Sequence, residues 1–567
     1  MFKSNVLKTA LMSAAAVTAL AACASEPDNN GTDNAPDNGA GNNNAEVNDN
    51  DNADNDADNN DGEEAGEDVD PEDVEVDPDN LVIATLSDVS EMDPHGSNDV
   101  PSSAVQTNIF ESLLYQDEDM ELQPLLAESW DAVEEDVWQF ELREDVTFHD
   151  GAEFNAEAVQ TNFDRLLDPD IGSQRAFLYE MVEDIVVVDD YTIEFHTEFP
   201  FAALPAHLAH SGGGIISPDA IEADYEEMEN GGQPGDYLNE NPIGTGFFEF
   251  EEWTPGSEVV LMRNDDYWGE PAGMEQVTFR VSPEDLTRLG ELETGDADII
   301  FPVSPSDADR VEDTEGINLY TQESLSLSYL GFNMEAETLD DQLVRQALTK
   351  AVNKEELIEG VWEGFATEAV GPIGENVFGF SDEVDELEYD PERAQELLEE
   401  AGYGDGFDTT IWTNDSRERM DIAELVQAQL SVIGVNAEIE VLEFGSYLDA
   451  TAEGEHDMFI LGWSTVTGDA DYGMYALFHS SQHGDPGNRS FMSNDELDQL
   501  LEDAREEVDE DARADLYEEA MEILVEEAPM MYLYHQDYLV GVRDEVQNFW
   551  KHPNGLYQLH EVTIEEE

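Results

Sequence analysis

The chain has 567 residues, more than one ordinary core accommodates, so two or three domains are expected. Its formal charge of −118, from 138 acids against 20 bases, excludes nucleic acid as a partner by sign. The 40% of hydrophobic residues, set in clear periodic patterns, excludes an acidic disordered polymer, and a lone cysteine excludes a disulfide framework or a CxxC metal site.

In chain order, Met1–Ala22 carries Lys3 and Lys8 and then an apolar run that reads as a secretory signal too short to span a bilayer. Leu20-Ala21-Ala22-Cys23 resembles the bacterial lipobox, which implies cleavage before Cys23 and diacylation of its thiol. Residues 23–80 read as an acidic tether that cannot bury a core, with a flexible reach of roughly 40 Å. That tether holds only 21 of the acids. The remainder keeps 117 acids against 18 bases, near −99, a repulsion that molar salt screens by shrinking the Debye length to roughly 3 Å. The composition therefore reads as adaptation to a saline habitat.

Leu81–Leu86 reads as a buried strand. In Ala127–Arg165, the alternation of Trp138, Phe140 and Leu142 describes a strand with one buried face, Asp150-Gly151 a tight turn, and Asn155 the cap of a helix bearing Val159, Phe163, Leu166 and Leu167. The run Asn230–Gly246 is turn-rich and marks a domain crossing. Asp390 and Pro391 open a helix that Gly402 stops. Strands near Thr409–Thr413, Val435–Leu442 and Met458–Leu461 alternate with helices near Arg417–Ile433 and Phe444–Ala452, which predicts a largely parallel sheet. Ser493-x-x-Glu496 reads as a capping box opening the next helix.

The stretch LAESW, VTFHDG and FNAEAV between Leu126 and Val159 resembles the signature of the family 5 extracellular solute-binding proteins. DPHGSND at Asp93–Asp99, NIFESLL at Asn108–Leu114, NPIGTGFF at Asn241–Phe248 and NDDYWG at Asn264–Gly269 extend the likeness. LETGDADII at Leu292–Ile300, GFNM at Gly331–Met334 and VRQALTKAVNKEELI at Val344–Ile358 continue it in order. The resemblance implies a two-lobed α/β fold of the type II periplasmic-binding-protein kind, with an extra small domain in the first lobe and a ligand cleft between lobes. Carried onto this chain, lobe I comprises 81–116, 241–322 and 530–567, the small domain 117–240 and lobe II 323–529. It also implies a monomeric, non-enzymatic receptor outside the cytoplasm, lipid-anchored to the membrane, that hands a small peptide to the permease subunits of an ABC importer. No cofactor is expected. Neither HExxH nor GxSxG is present, so nothing favours a secreted hydrolase.

Ligands of open α/β sheets bind beyond the carboxyl ends of strands. Met458–Leu461 runs there into Gly462-Trp463-Ser464-Thr465-Val466-Thr467-Gly468-Asp469-Ala470-Asp471-Tyr472, where acids suit an ammonium and the aromatics suit the body of a ligand. In peptide receptors of the family an aspartate three residues after the Trp takes the peptide amino group; here that position is Val466. The run WSTVTGDADYGMYALF is similar instead to the glutathione-binding branch. That resemblance points to Asp469 or Asp471 for the ammonium and to Trp463 and Tyr472 for packing. Arg489 is the leading carboxylate partner, with Arg417 and Arg419 at a helix start as further candidates. The alternative ligand is a metal, nickel above all, on His479 and His483, four residues apart; His207 and His210 are three apart.

Overall fold

The computed structural model describes residues 78–484 and 487–565. The signal segment, Cys23 and nearly all of the tether lie outside the described residues. No described helix is long and apolar enough to cross a membrane.

A mixed sheet of twelve strands organises the molecule. Its path runs from Val435–Leu442 through Phe407–Asn414, Met458–Ser464 and Ser326–Phe332 to Met530–Arg543. It continues through Ile299–Phe301, Asn80–Thr85, Gln276–Val281 and Glu258–Arg263 to Phe248–Thr254. The 14-residue strand Met530–Arg543 belongs to both halves. Its first part pairs with Ser326–Phe332 and its last part with Ile317–Glu323 and Ile299–Phe301. Pairing is interrupted between Glu323↔Asp537 and Ser328↔Tyr534. At that break Ser324 Oγ donates to the Gln536 carbonyl (2.5 Å), and His535 Nδ1 lies 2.9 Å from the Ser326 carbonyl. Two adjacent strand crossings are thus all that joins the halves along the sheet, the arrangement expected of a hinge.

Around this sheet the apolar residues form separate cores. One draws on residues 81–110, 216–299 and 540–564. Two more cover the faces of the other half, between residues 325 and 534. A further core, from Leu113 to Ile215, packs under an antiparallel sheet ordered Ala127–Glu134, Val137–Leu142, Thr192–Thr197, Val182–Asp189. Its helix Ala156–Leu166 is capped as expected, the Asn155 side chain accepting from Ala158 N–H at 3.0 Å, and Phe163 meets Phe195 edge-on at 5.1 Å.

The recurrent strings of the sequence converge in space. Arg165, at the end of that helix, is fully buried and pairs with Asp93 and Asp224 at 2.6 and 2.8 Å. Tyr267, Trp268 and Thr245 all donate to buried Glu111 at 2.7–2.9 Å. Burial pushes the Glu111 carboxyl up to about 7, opposed by those donors. NIFESLL, NPIGTGFF and NDDYWG are therefore scaffold, joined by one carboxylate.

Two expectations need correction. Phe407–Asn414 is flanked in parallel by Val435–Leu442 and Met458–Ser464, as predicted, but the sheet continues antiparallel through Ser326–Phe332 and Met530–Arg543. Those strands lie outside the strand–helix–strand run, so the crossover rule does not govern them. The helix Asp495–Glu506 is capped by Asn494, which accepts from Glu496 and Leu497 N–H, and not by Ser493. Asn caps as well as Ser, and sits one residue nearer the buried Leu497, Leu501 and Ala504.

Candidate ligand-binding site

Strand Met458–Ser464 continues beyond the expected Leu461 because Ser326–Phe332 pairs alongside it to the end, Leu327 opposite Trp463 and Ser326 opposite Ser464. Trp463 is thus a strand residue on a fixed backbone. The chain then folds back: Gly468 N–H reaches the Thr465 carbonyl, and Phe378 brackets the loop through Gly468 O and Ala470 N–H. Gly468 adopts φ +66°, and a Cβ there would lie 2.6 Å from Met120 Cε. Gln116 Nε2 also donates to the Thr467 carbonyl at 2.6 Å. Residues 116–120 of one half of the molecule thereby grip the loop of the other.

The loop aspartates are already occupied. Arg513, on helix Glu510–Glu527, holds Asp469 through two parallel bonds of 2.7 and 2.6 Å, and both groups are buried. Desolvation works against the charge of Arg513, but Asp469 outweighs it and holds the guanidinium above its ordinary range. Asp471 lies 2.8 Å from Arg505 Nε, and its other oxygen lies 3.6 Å from His207 Nε2. Arg505 is also stacked 4.0 Å over Tyr475. Asp469 and Asp471, expected to receive a ligand ammonium, are each engaged by an arginine here, and those pairs fasten the loop.

Tyr472 reaches across into the core of residues 113–215, facing Phe177 at 5.8 Å and His210 at 6.1 Å, while Trp463 lies 5.4 Å from it on the other side. Two cavities meet at Gly462, Trp463 and Ser464. One, of about 200 Å³, is lined also by Tyr472, Asp99, Arg175 and His210. The other, of about 730 Å³, lies between the halves of the sheet and is lined also by Arg417, Arg419, Tyr534, Asp537 and Tyr538. The Trp463 indole N–H is buried with no hydrogen-bond partner among the described residues.

Of the predicted cations, Arg419 lines the larger cavity. Its Nη1 donates to Asn414 Oδ1 at 2.9 Å, and its guanidinium lies beside Gly462. Arg417 is exposed at the cavity wall, 3.9 Å from Asp421. Arg489 is buried beside Thr451 and His456, away from the lining of these two cavities. His479 and His483 flank the short turn Ser480–Gln482, His479 accepting from Ser481 N–H and His483 contacting the Met492 carbonyl. No single helix carries both. Among the described residues no group of three or more His, Cys, Asp or Glu is placed to hold a metal.

Sequence reasoning missed Arg175. It is buried, with Nε donating to the Ser97 carbonyl (2.6 Å), Nη1 to Asn98 Oδ1 (2.5 Å) and Nη2 to Ser103 Oγ (2.8 Å). Burial lowers its pKa, opposed by Tyr472 and then by Asp99. Among the described residues neither Arg175 nor Arg419 has a carboxylate within ion-pair reach. The scarcity of bases was the one available signal, and it does not say which base stands apart.

The family model described as bacterial extracellular solute-binding proteins, family 5 Middle, matches residues 121–485. A glutathione-binding protein of Escherichia coli (strain K12) is 32% identical over 436 residues, covering 75% of this chain and 83% of its own length. Among solved structures, the ABC transporter-associated periplasmic binding protein DppA of Helicobacter pylori, in complex with the peptide STSA, superposes with a TM-score of 0.76 at 31% identity. It covers 86% of this chain and 98% of that one. The oligopeptide-binding protein AppA of Bacillus subtilis, in complex with a nonapeptide, gives 0.75 at 26% identity, over 86% and 99%.

Proposed function

The chain belongs to the bacterial extracellular solute-binding proteins of family 5, and from that premise we propose that its ligand is a small peptide with two carboxylates, glutathione before other peptides. Membership itself makes the chain a non-enzymatic receptor of an ABC importer for peptide or glutathione-like solutes. The observation that carries the finer reading is the pair Arg175 and Arg419. One lines each cavity, the cavities meet at Trp463, and neither arginine has a carboxylate partner among the described residues of a chain with 138 acids. Partly desolvated guanidinium groups favour carboxylates, which they bind in a planar fork. Glutathione offers two such groups, and the glutathione-binding relative supports the choice.

In this reading Trp463 and Tyr472 pack on the body of the peptide, and the indole N–H of Trp463 bonds its backbone. Asp537 takes the ammonium: burial and neighbouring Glu323 push its carboxyl up, so a cation beside it relieves both. The proposal includes the domain limits and the Cys23 lipid anchor given above.

Calorimetry at high salt with glutathione, its glycine monoethyl ester, a dipeptide, an oligopeptide and Ni²⁺ tests it. Glutathione should bind, and the ester, lacking one carboxylate, should bind at least about tenfold more weakly. Arg175→Met and Arg419→Met should each cost about thirtyfold or more. Equal affinity for the ester, or binding of Ni²⁺ alone, would overturn the reading.

A further inference from the structure

A third cavity, of about 310 Å³, lies within the first half of the sheet, under helix Val100–Gln106. Its wall is mainly apolar: Val105, Val259, Phe279, Val281, Phe301 and Tyr557 among others. One cation lines it. Lys551 is fully buried, and its Nζ lies 4.0 Å from the centre of Phe301, 3.9 Å from that of Tyr557 and 5.2 Å from that of Tyr538. Its one oxygen partner is the Gly555 carbonyl, at 2.5 Å. The hairpin that pairs Lys551 with Tyr557 builds this cage, and Gly555, at φ +95°, makes its turn.

Ring faces attract an ammonium, but they do not replace its hydration as a counter-charge does. Burial pushes the pKa of the Lys551 amine well below the usual range, and among the described residues no carboxylate forms an ion pair with it. Asp88 also lines the cavity, but its oxygens are taken by Trp253 Nε1 and by the N–H groups of Val89 and Gly256. In so acidic a chain, a buried amine beside a carbonyl and aromatic rings is a place where an arriving carboxylate would favour the charged form.

We propose that this cavity binds an apolar monocarboxylate, its carboxylate on Lys551 Nζ and its hydrocarbon or aromatic body among Val105, Val259, Phe279 and Val281. The site adjoins the peptide cleft through Leu86, Phe301, Pro302, Gln536 and Tyr538, which line both, whereas Lys551, Val105, Val259 and Phe279 line this cavity and not the cleft. The same chemistry is carried by a free acid or by the carboxy-terminal leucine or phenylalanine of a longer peptide reaching through that shared wall.

Calorimetry on the full chain at high salt, with octanoate, 3-phenylpropionate, 1-octanol and the dipeptide Ala-Phe, tests the proposal. Octanoate or phenylpropionate should bind saturably at one site, and octanol, with the same tail and no charge, at least about tenfold more weakly. Lys551→Met keeps the volume and removes the amine. It should lower octanoate affinity by about thirtyfold or more while leaving octanol unchanged. Prior saturation with glutathione should leave octanoate binding intact. Binding of Ala-Phe that is lost in Lys551→Met, without binding of the free acids, assigns the carboxylate to a peptide terminus. Equal affinity of octanoate and octanol for the unaltered chain, wild-type octanoate affinity in Lys551→Met, displacement of octanoate by glutathione, or no saturable binding of octanoate, 3-phenylpropionate or Ala-Phe overturns the proposal.

Discussion

Replacing Asp469 by Ala separates the two roles that its position allows. In the structure its carboxylate is spent on Arg513, with both groups buried and bonded twice at 2.6 and 2.7 Å. Removing one partner of such a pair strands the other charge and typically costs about 3–5 kcal/mol. In a cooperative unit of about 150–250 residues this lowers the thermal midpoint by roughly 6–20 °C. Ligand affinity should fall too, because the loop carrying Tyr472 loses its fastening. The double variant Asp469→Ala/Arg513→Leu has no stranded charge, so most of the lost stability should return. Affinity should return with it if Asp469 acts only through the loop. Calorimetric unfolding and binding on all four proteins of the cycle provide the readout. If the double variant regains its midpoint but binds as weakly as Asp469→Ala, the carboxylate touches the ligand and the reasoning fails. A wild-type midpoint in Asp469→Ala would refute the ion pair itself.

Three further outcomes are expected. The thermal midpoint should rise by at least about 5 °C between about 0.05 and 2 M NaCl, since screening relieves the charge excess; a flat dependence would mean that local pairing already offsets it. Burial lowers the pKa of His456 from 6.5 to about 4, against the bond to the Arg489 carbonyl. The unfolded chain then binds the proton first as pH falls, so this contribution is present above about pH 6.5 and lost toward pH 4, about 3 kcal/mol in all. His456→Gln should lose less stability than the wild type over that window, and equal losses in denaturant titrations would exclude this cause. Cys23→Ser should release the protein into soluble fractions, and unchanged membrane retention would remove the anchor from the proposal.

Local order was legible in the sequence where short-range physics decides it. Asn155 and Asp390 cap the expected helices, Gly402 ends the second, and the strand Val435–Leu442 and helix Phe444–Ala452 have the predicted bounds. The strand leading into the Trp463 segment was legible too, but its extension through Trp463 to Ser464 was not, because the antiparallel partner Ser326–Phe332 that holds it lies more than 130 residues earlier. The Asn494 cap shows the limit, since Ser493 and Asn494 have the same chemistry one residue apart and packing chooses between them.

The charges were beyond reach. From the sequence, Asp469 and Asp471 stood in a loop with no cation nearby; in space Arg513, 44 residues later, takes the first and Arg505 meets the second. Arg175 and Lys551 are two bases among many, and only the tertiary structure sets one beside Trp463 and Tyr472 and the other in an aromatic cage. Periodicity and capping depend on residues within a few positions of each other, which a sequence displays. Which of 138 acids meets which of 20 bases depends on distance through a low-dielectric interior, and that distance exists only once the cores have packed.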